Sequence, residues 1–127
     1  MPERRYKGYR VYAYIALARL FAELNLDLGQ PDLAARVPSA IATAAGRVSK
    51  EEILHAIRSN SHMTEKVIDY LVEERYATVR HAEAGYDIRI TPQGVEHLRR
   101  FRGFYRELYA RELRDHYQYS GPPPWLR

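Results

Sequence analysis

The residues in this chain that can do chemistry are hydrogen-bond donors and cations, not nucleophiles. Asn60, Ser61, His62, Thr64 and Lys66 fall within seven positions. On a helix that spacing crowds several donors into two turns, and such side chains donate to phosphate oxygens or to base edges. Arg80, His81 and Arg89 form a second group, in a stretch whose alternation predicts strands, and Arg4, Arg5, Lys7 and Arg10 form a third near the amino terminus. Basic arms and strands of this kind neutralise phosphates or reach into a minor groove. For each residue the alternative is a solvated surface charge, and for residues 1–8 a frayed terminus.

Catalytic patterns are missing. There is no Gly-x-Ser-x-Gly elbow, no phosphate-binding glycine loop and no His-Glu-x-x-His helix. His81-x-Glu83 has the spacing that opens a zinc deaminase motif, but that motif needs cysteines and the chain has none. The other histidines are scattered, and His55 and His97 read as edge-of-core residues in preference to metal ligands. The expectation is a protein that is not an enzyme and takes no cofactor or metal.

Charge is unevenly placed. The net charge of +4 permits a polyanionic partner. Residues 1–10 carry +3 and residues 92–118 carry +2, while residues 11–91 carry −2. Basicity therefore sits toward the two ends. No apolar run approaches the roughly 20 residues of a membrane span, and MPERRYKGYR lacks the apolar block of a secretory signal, so a cytoplasmic protein with no membrane partner is expected.

The elements that must position these side chains begin with a basic arm, residues 1–8, and continue as one domain, residues 9–118. Tyr14, Leu17, Phe21 and Leu24 make one stripe of a helix from Tyr9 to about Leu26, flanked by Val11, Ile15, Ala18 and Ala22. So wide an apolar face predicts burial in the core or in a subunit interface, and Tyr14, Leu17 and Phe21 are candidate dimer residues. Gly29 is expected to end this helix. A helix from Asp32 to Ala45 should be broken at Pro38. Ser49-Lys50-Glu51-Glu52 fits a capping box for a helix to about Ser59 with Ile53, Leu54 and Ile57 inward. After a Ser59-Asn60 turn, Ser61 should cap a second helix with Met63, Val67, Tyr70 and Leu71 inward and His62, Glu65, Lys66, Asp69 and Glu73 outward.

Tyr76 to Thr91 then alternates with period two about a glycine-containing loop, which predicts a hairpin. Thr91-Pro92 is an N-cap followed by proline at the first helical position. The helix it opens, residues 92–118, would reach about 40 Å at 1.5 Å per residue. Val95, Leu98, Phe101, Tyr105, Leu108 and Tyr109 form its apolar stripe. A small domain covers only part of such a helix, so Phe101, Tyr105, Leu108 and Tyr109 are candidates for burial against a second copy. Residues 119–127, rich in proline, read as an extended tail in which Trp125 is either mobile or docked in a groove.

The run Tyr70-Leu71-Val72-Glu73-Glu74-Arg75-Tyr76, a hairpin, and then Tyr86-Asp87-Ile88-Arg89-Ile90-Thr91-Pro92-Gln93-Gly94-Val95-Glu96-His97-Leu98 resembles the winged-helix proteins of the PadR and MarR kind. It is most similar to the small archaeal winged-helix DNA-binding proteins that dimerise through a long C-terminal helix. The resemblance covers about residues 40–109, and Ile88-x-Ile90-Thr91-Pro92-x-Gly94 with Leu98 is its most specific part. It implies a winged helix-turn-helix, mainly α with a small β-hairpin (α+β), carrying an extra N-terminal helix and a long C-terminal one. Residues 61–75 would be the recognition helix, 76–91 the wing and 92 onward the dimerisation helix. Arg75-Tyr76 departs from the glycine-apolar pair usual at that point, and Glu65, Asp69, Glu73 and Glu74 are unusual on a helix facing phosphates.

Two functions follow as expectations. The first is a dimeric protein binding double-stranded DNA, a transcriptional regulator or chromatin-associated factor, in which the amino-terminal turn of helix 61–75 lies nearest the bases. The second is a winged-helix protein-interaction module that uses the acidic face and the Pro-rich tail.

Overall fold

The computed structural model describes residues 9–43, 48–82 and 85–113. Five helices and one hairpin follow in the order α1 (Tyr9–Ala22), α2 (Leu33–Thr43), α3 (Lys50–Ile57), α4 (Ser61–Glu73), β1 (Ala77–Ala82), β2 (Gly85–Ile90) and α5 (Pro92–Leu113). The chain is mainly helical with a small two-stranded antiparallel sheet, an α+β arrangement. The basic arm of residues 1–8, the 114–118 end expected of the last helix and the 119–127 tail with Trp125 lie outside the described residues.

Helix α1 is the centre of the molecule. Val11 to Ala18 are buried without interruption, as are Leu20, Phe21 and Leu24. Apolar residues all round a helix require cover on every side, and α3, α4, α5 and β2 all pack against it. Tyr14, Leu17 and Phe21 are 2%, 0% and 6% exposed inside the single chain. The expectation that they form a dimer face is therefore corrected: their surface is already covered by the protomer's own helices. The helix also stops earlier than Gly29. Glu23, Leu24 and Asn25 donate to carbonyls three residues back, and Asn25 turns left-handed at φ 57. Asparagine tolerates that geometry better than most residues.

Proline does not break α2. Pro38 lies inside one helix, Leu33–Thr43. It is exposed, as is Ala34, whose carbonyl would otherwise accept the missing amide, so water can satisfy that oxygen. Only Leu33 and Val37 of this helix are fully buried.

The capping box of α3 is present in full: the Ser49 hydroxyl accepts from the Glu52 amide at 3.2 Å and the Ser49 amide donates to Glu52 Oε1 at 2.8 Å. Helix α4 starts one residue earlier than the sequence suggests. Asn60, not Ser61, is the N-cap, its Oδ1 accepting from the Met63 amide at 2.8 Å. Lys50 pairs with Glu65 and ties the start of α3 to α4. The core side of α4 is Thr64, Val67, Ile68 and Leu71, with Met63 and Tyr70 half-buried against it.

The hairpin pairs Ala77 with Ile90 and Val79 with Ile88, so that Ile88 and Ile90 point into the core. Val48, just ahead of α3, adds a single bridge: its carbonyl accepts from the Ile88 amide at 3.0 Å. Thr91 fastens the other end of the hairpin. Its amide donates to Tyr76 O at 3.0 Å, and its hydroxyl donates to Arg75 O at 2.7 Å while accepting from the Gly94 amide at 3.0 Å. Threonine thus caps α5 as its sequence position suggests. The first turn of α5 comes so close to the hairpin root that a Cβ on Gly94 would stand 2.3 Å from Tyr76 O.

Candidate nucleic-acid interface

Helix α4 presents an outward face that changes chemistry along its length. Ser61, His62 and Lys66 are exposed near its amino end, with His62 and Lys66 one turn apart on the same side. Unsatisfied amides and the positive pole of the helix lie at that end, which suits an anionic partner. Toward the carboxyl end the same face becomes acidic through Asp69 and Glu73, both exposed.

Two of the candidate DNA-binding residues are corrected. Thr64 is 0% exposed, and its hydroxyl donates to Asn60 O at 2.8 Å, so it stabilises the first turn from within and faces no ligand. Arg89 is half-buried, with Nε 3.1 Å from Asp87 Oδ1 and a terminal nitrogen donating to Ile41 O at 3.2 Å. Its guanidinium fastens the hairpin to the end of α2. Asn60 is exposed, but its side-chain oxygen is committed to the cap.

Among the described residues Arg80 remains as an exposed cation of the hairpin, in register with Asp87 across the strands. The side chains of Arg10 and His81 lie outside the described ones, as do Arg4, Arg5 and Lys7. Of the candidate residues, Asn60 through its Nδ2 amide, Ser61, His62, Lys66 and Arg80 are the exposed donors brought onto the α4 and hairpin surface.

The sequence does not disclose the groove beside them. Glu65, Ile68, Asp69, Val72 and Glu73 of α4 form one wall and Val79 and Tyr86 of the hairpin the other, around a volume of about 460 Å³. Val72 is 40% exposed in it. The acidic residues are readable from helical spacing, but the opposing wall depends on how the hairpin folds back.

Two further arginines escape a reading based on composition. Arg58, at the carboxyl end of α3, and Arg75, after α4, are both exposed and both left-handed, at φ 56 and φ 66. Their signal in the sequence is positional: each follows the last helical residues where glycine is commonly found.

On α5, Val95 and Leu98 are buried in the core, whereas Phe101 and Phe104 are 40% and 50% exposed. The side chains of Tyr105, Leu108 and Tyr109 lie outside the described ones. His97 stacks on Tyr76 with ring centres 4.3 Å apart and meets Phe101 at 5.0 Å. Burial lowers the His97 pKa despite the opposing pull of Glu74, and burial, reinforced by Glu74, raises that of Tyr76. His55, expected at the edge of the core, is instead exposed on α3.

Among the described residues no three His, Cys, Asp or Glu side chains gather as metal ligands, and no helix is long and apolar enough to cross a membrane. In comparison with known proteins, no family model, curated protein or solved structure matches this chain.

Proposed function

We propose that this chain is a winged-helix protein that binds double-stranded DNA as a homodimer, working in the cytoplasm as a transcriptional regulator or chromatin-associated factor. In this reading α3 and α4 form the helix-turn-helix, β1 and β2 the wing, and α5 the dimerisation element. The observation that carries it is the exposed amino-terminal part of α4, with Ser61, His62 and Lys66, standing on a unit whose hairpin offers Arg80. The Val48 bridge to Ile88 supports the reading, because it fixes the hairpin relative to α3. Ser61 and His62 lie nearest the base edges, and Lys66 and Arg80 neutralise phosphates.

The exposed rings of Phe101 and Phe104 supply a face for a second copy. Two copies would double the number of phosphates engaged and set the spacing of half-sites.

The experiment is a titration of labelled duplex DNA at two salt concentrations. Affinity should fall steeply with salt, and Lys66→Ala combined with Arg80→Ala should flatten the log–log slope by about 0.9 for each phosphate no longer neutralised. Failure to bind any duplex at low salt would overturn the reading. The acidic groove of Glu65, Asp69 and Glu73 favours a second one, a protein-interaction module that does not touch DNA directly. In that case charge reversal at Asp69 and Glu73 would abolish partner binding, and the Lys66 and Arg80 substitutions would not.

A further inference from the structure

Three large apolar side chains stand exposed among the described residues: Val72 on α4, and Phe101 and Phe104 on α5. Their surroundings carry opposite charge. Val72 lies in the groove between α4 and the hairpin, where Asp69, one turn before it, and Glu73 beside it border the same apolar surface. Lys50 pairs with Glu65 at this wall, whereas Asp69 and Glu73 have no ion pair among the described residues. Phe101 and Phe104 belong to a cationic stretch instead. Residues 96–107 hold four arginines against two glutamates, and Arg100 is exposed one turn before Phe104 on the same side of α5.

We propose that the turn of α5 holding Phe101 and Phe104 docks, in a second copy of this chain, into the groove between α4 and the hairpin. The inference rests on the homodimer reading above and deepens it by naming the surface that receives α5. Phe104 enters over Val72 and Val79, and Arg100 reaches the carboxylates of Asp69 and Glu73. The groove's volume of about 460 Å³ lies within the roughly 300 to 1,000 Å³ of clefts that enclose a ligand, so it has room for an aromatic ring. Apolar contact supplies the attraction, and the opposed charges fix which surfaces meet.

The groove does not receive the α5 of its own chain. Tyr70 of α4 shares a small crevice with Tyr14 of α1 and His97 of α5, and Val72, two positions on, points to nearly the opposite side of the helix. Helix α4 therefore stands between the groove and its own α5. Two copies close as a pair when each gives its α5 and receives the other's, a two-fold arrangement with two equal contacts. Docking also sets cations on the acidic half of α4, whose carboxylates would otherwise repel the phosphates approached by its amino end.

The chain has no cysteine, so Val72→Cys and Phe104→Cys each introduce a single thiol, at positions that are already exposed. Treated with a short bismaleimide, an equimolar mixture of the two variants should cross-link into a dimer, and neither variant alone should do so. Cross-linking of Phe104→Cys by itself would show α5 packed on α5, which overturns the docking and leaves the dimer intact. Sedimentation supplies the second measurement. Arg100→Glu, or Asp69→Arg with Glu73→Arg, should each weaken the dimer by about tenfold or more. Mixing these two variants should restore it, because each then offers the charge that the other now needs. Weakening without restoration, or no weakening on reversal of Asp69 and Glu73, overturns the docking. A parent that is monomeric at micromolar concentration overturns the homodimer reading itself, and the docking with it.

Discussion

Gly94 has no space for a side chain, because the carbonyl of Tyr76 and the side chain of Ile90 already occupy the place of its Cβ. A backbone oxygen cannot swing aside as a flexible side chain would. Gly94→Ala should therefore destabilise the fold by about 2 to 4 kcal/mol, read as a shifted urea midpoint. An unchanged midpoint would mean that α5 and the hairpin root separate at little cost. His97, one turn further along, makes the same junction sensitive to pH. Because its folded pKa is lowered, the unfolded chain binds a proton that the folded chain resists as pH drops below 6.5. Its contribution to stability is complete above that value and is lost as pH falls from 6.5 toward the folded pKa. The urea midpoint should decline as pH falls below 6.5, less steeply in His97→Gln. A decline of the same steepness in that variant would assign the effect to other groups. Residue-level legibility in the sequence is mixed for a physical reason. Ser61, His62 and Arg80 are exposed as helical and strand periods predict, but Thr64 turns inward to its own first turn and Arg89 is captured by Ile41 and Asp87. Such captures depend on a third element, which local spacing does not encode.

Helix starts are the most readable elements because their chemistry is local. Ser49 and Glu52 cap each other across three residues, and Thr91 caps α5 just before Pro92. The start of α4 is the exception, since Asn60, Ser61 and Ser59 are all competent caps and only geometry selects Asn60. Asn60→Ala should cost about 1 kcal/mol in thermal or chemical unfolding, and Ser61→Ala no more than a few tenths. The opposite order would return the cap to Ser61. Arg75 illustrates how an oddity in sequence becomes geometry: where the resemblance leads one to expect glycine, the backbone is left-handed and an arginine accepts it. Pro38 shows the reverse, a residue expected to break α2 that instead rides on its exposed side. The Val48 bridge is invisible to periodicity, because a single residue has no period.

At the scale of the molecule, α1 is a core helix and α5 the element with apolar surface left over. Leu17→Ala should cost about 2 to 5 kcal/mol by opening a cavity, and that cost should not depend on protein concentration. A concentration-dependent cost would restore α1 to an interface. In contrast, light scattering should give a dimer for the parent at micromolar concentration. Phe101→Glu with Phe104→Glu should give a folded monomer, since both rings are already partly exposed. A monomeric parent would remove the proposed assembly. The width of the α1 stripe is plain in the sequence, but whether the cover is the chain's own or a neighbour's depends on long-range packing.

The central place of α1 also bears on how the chain is made. This helix leaves the ribosome before any of the elements that cover it, and its cover is incomplete until α5 has followed. For most of synthesis, then, a helix apolar on every side has too few partners, a state that favours association with other nascent chains or capture by a chaperone. Native structure can close only after nearly the whole domain has been translated, so a message truncated within the hairpin would yield an insoluble product, not a smaller folded one.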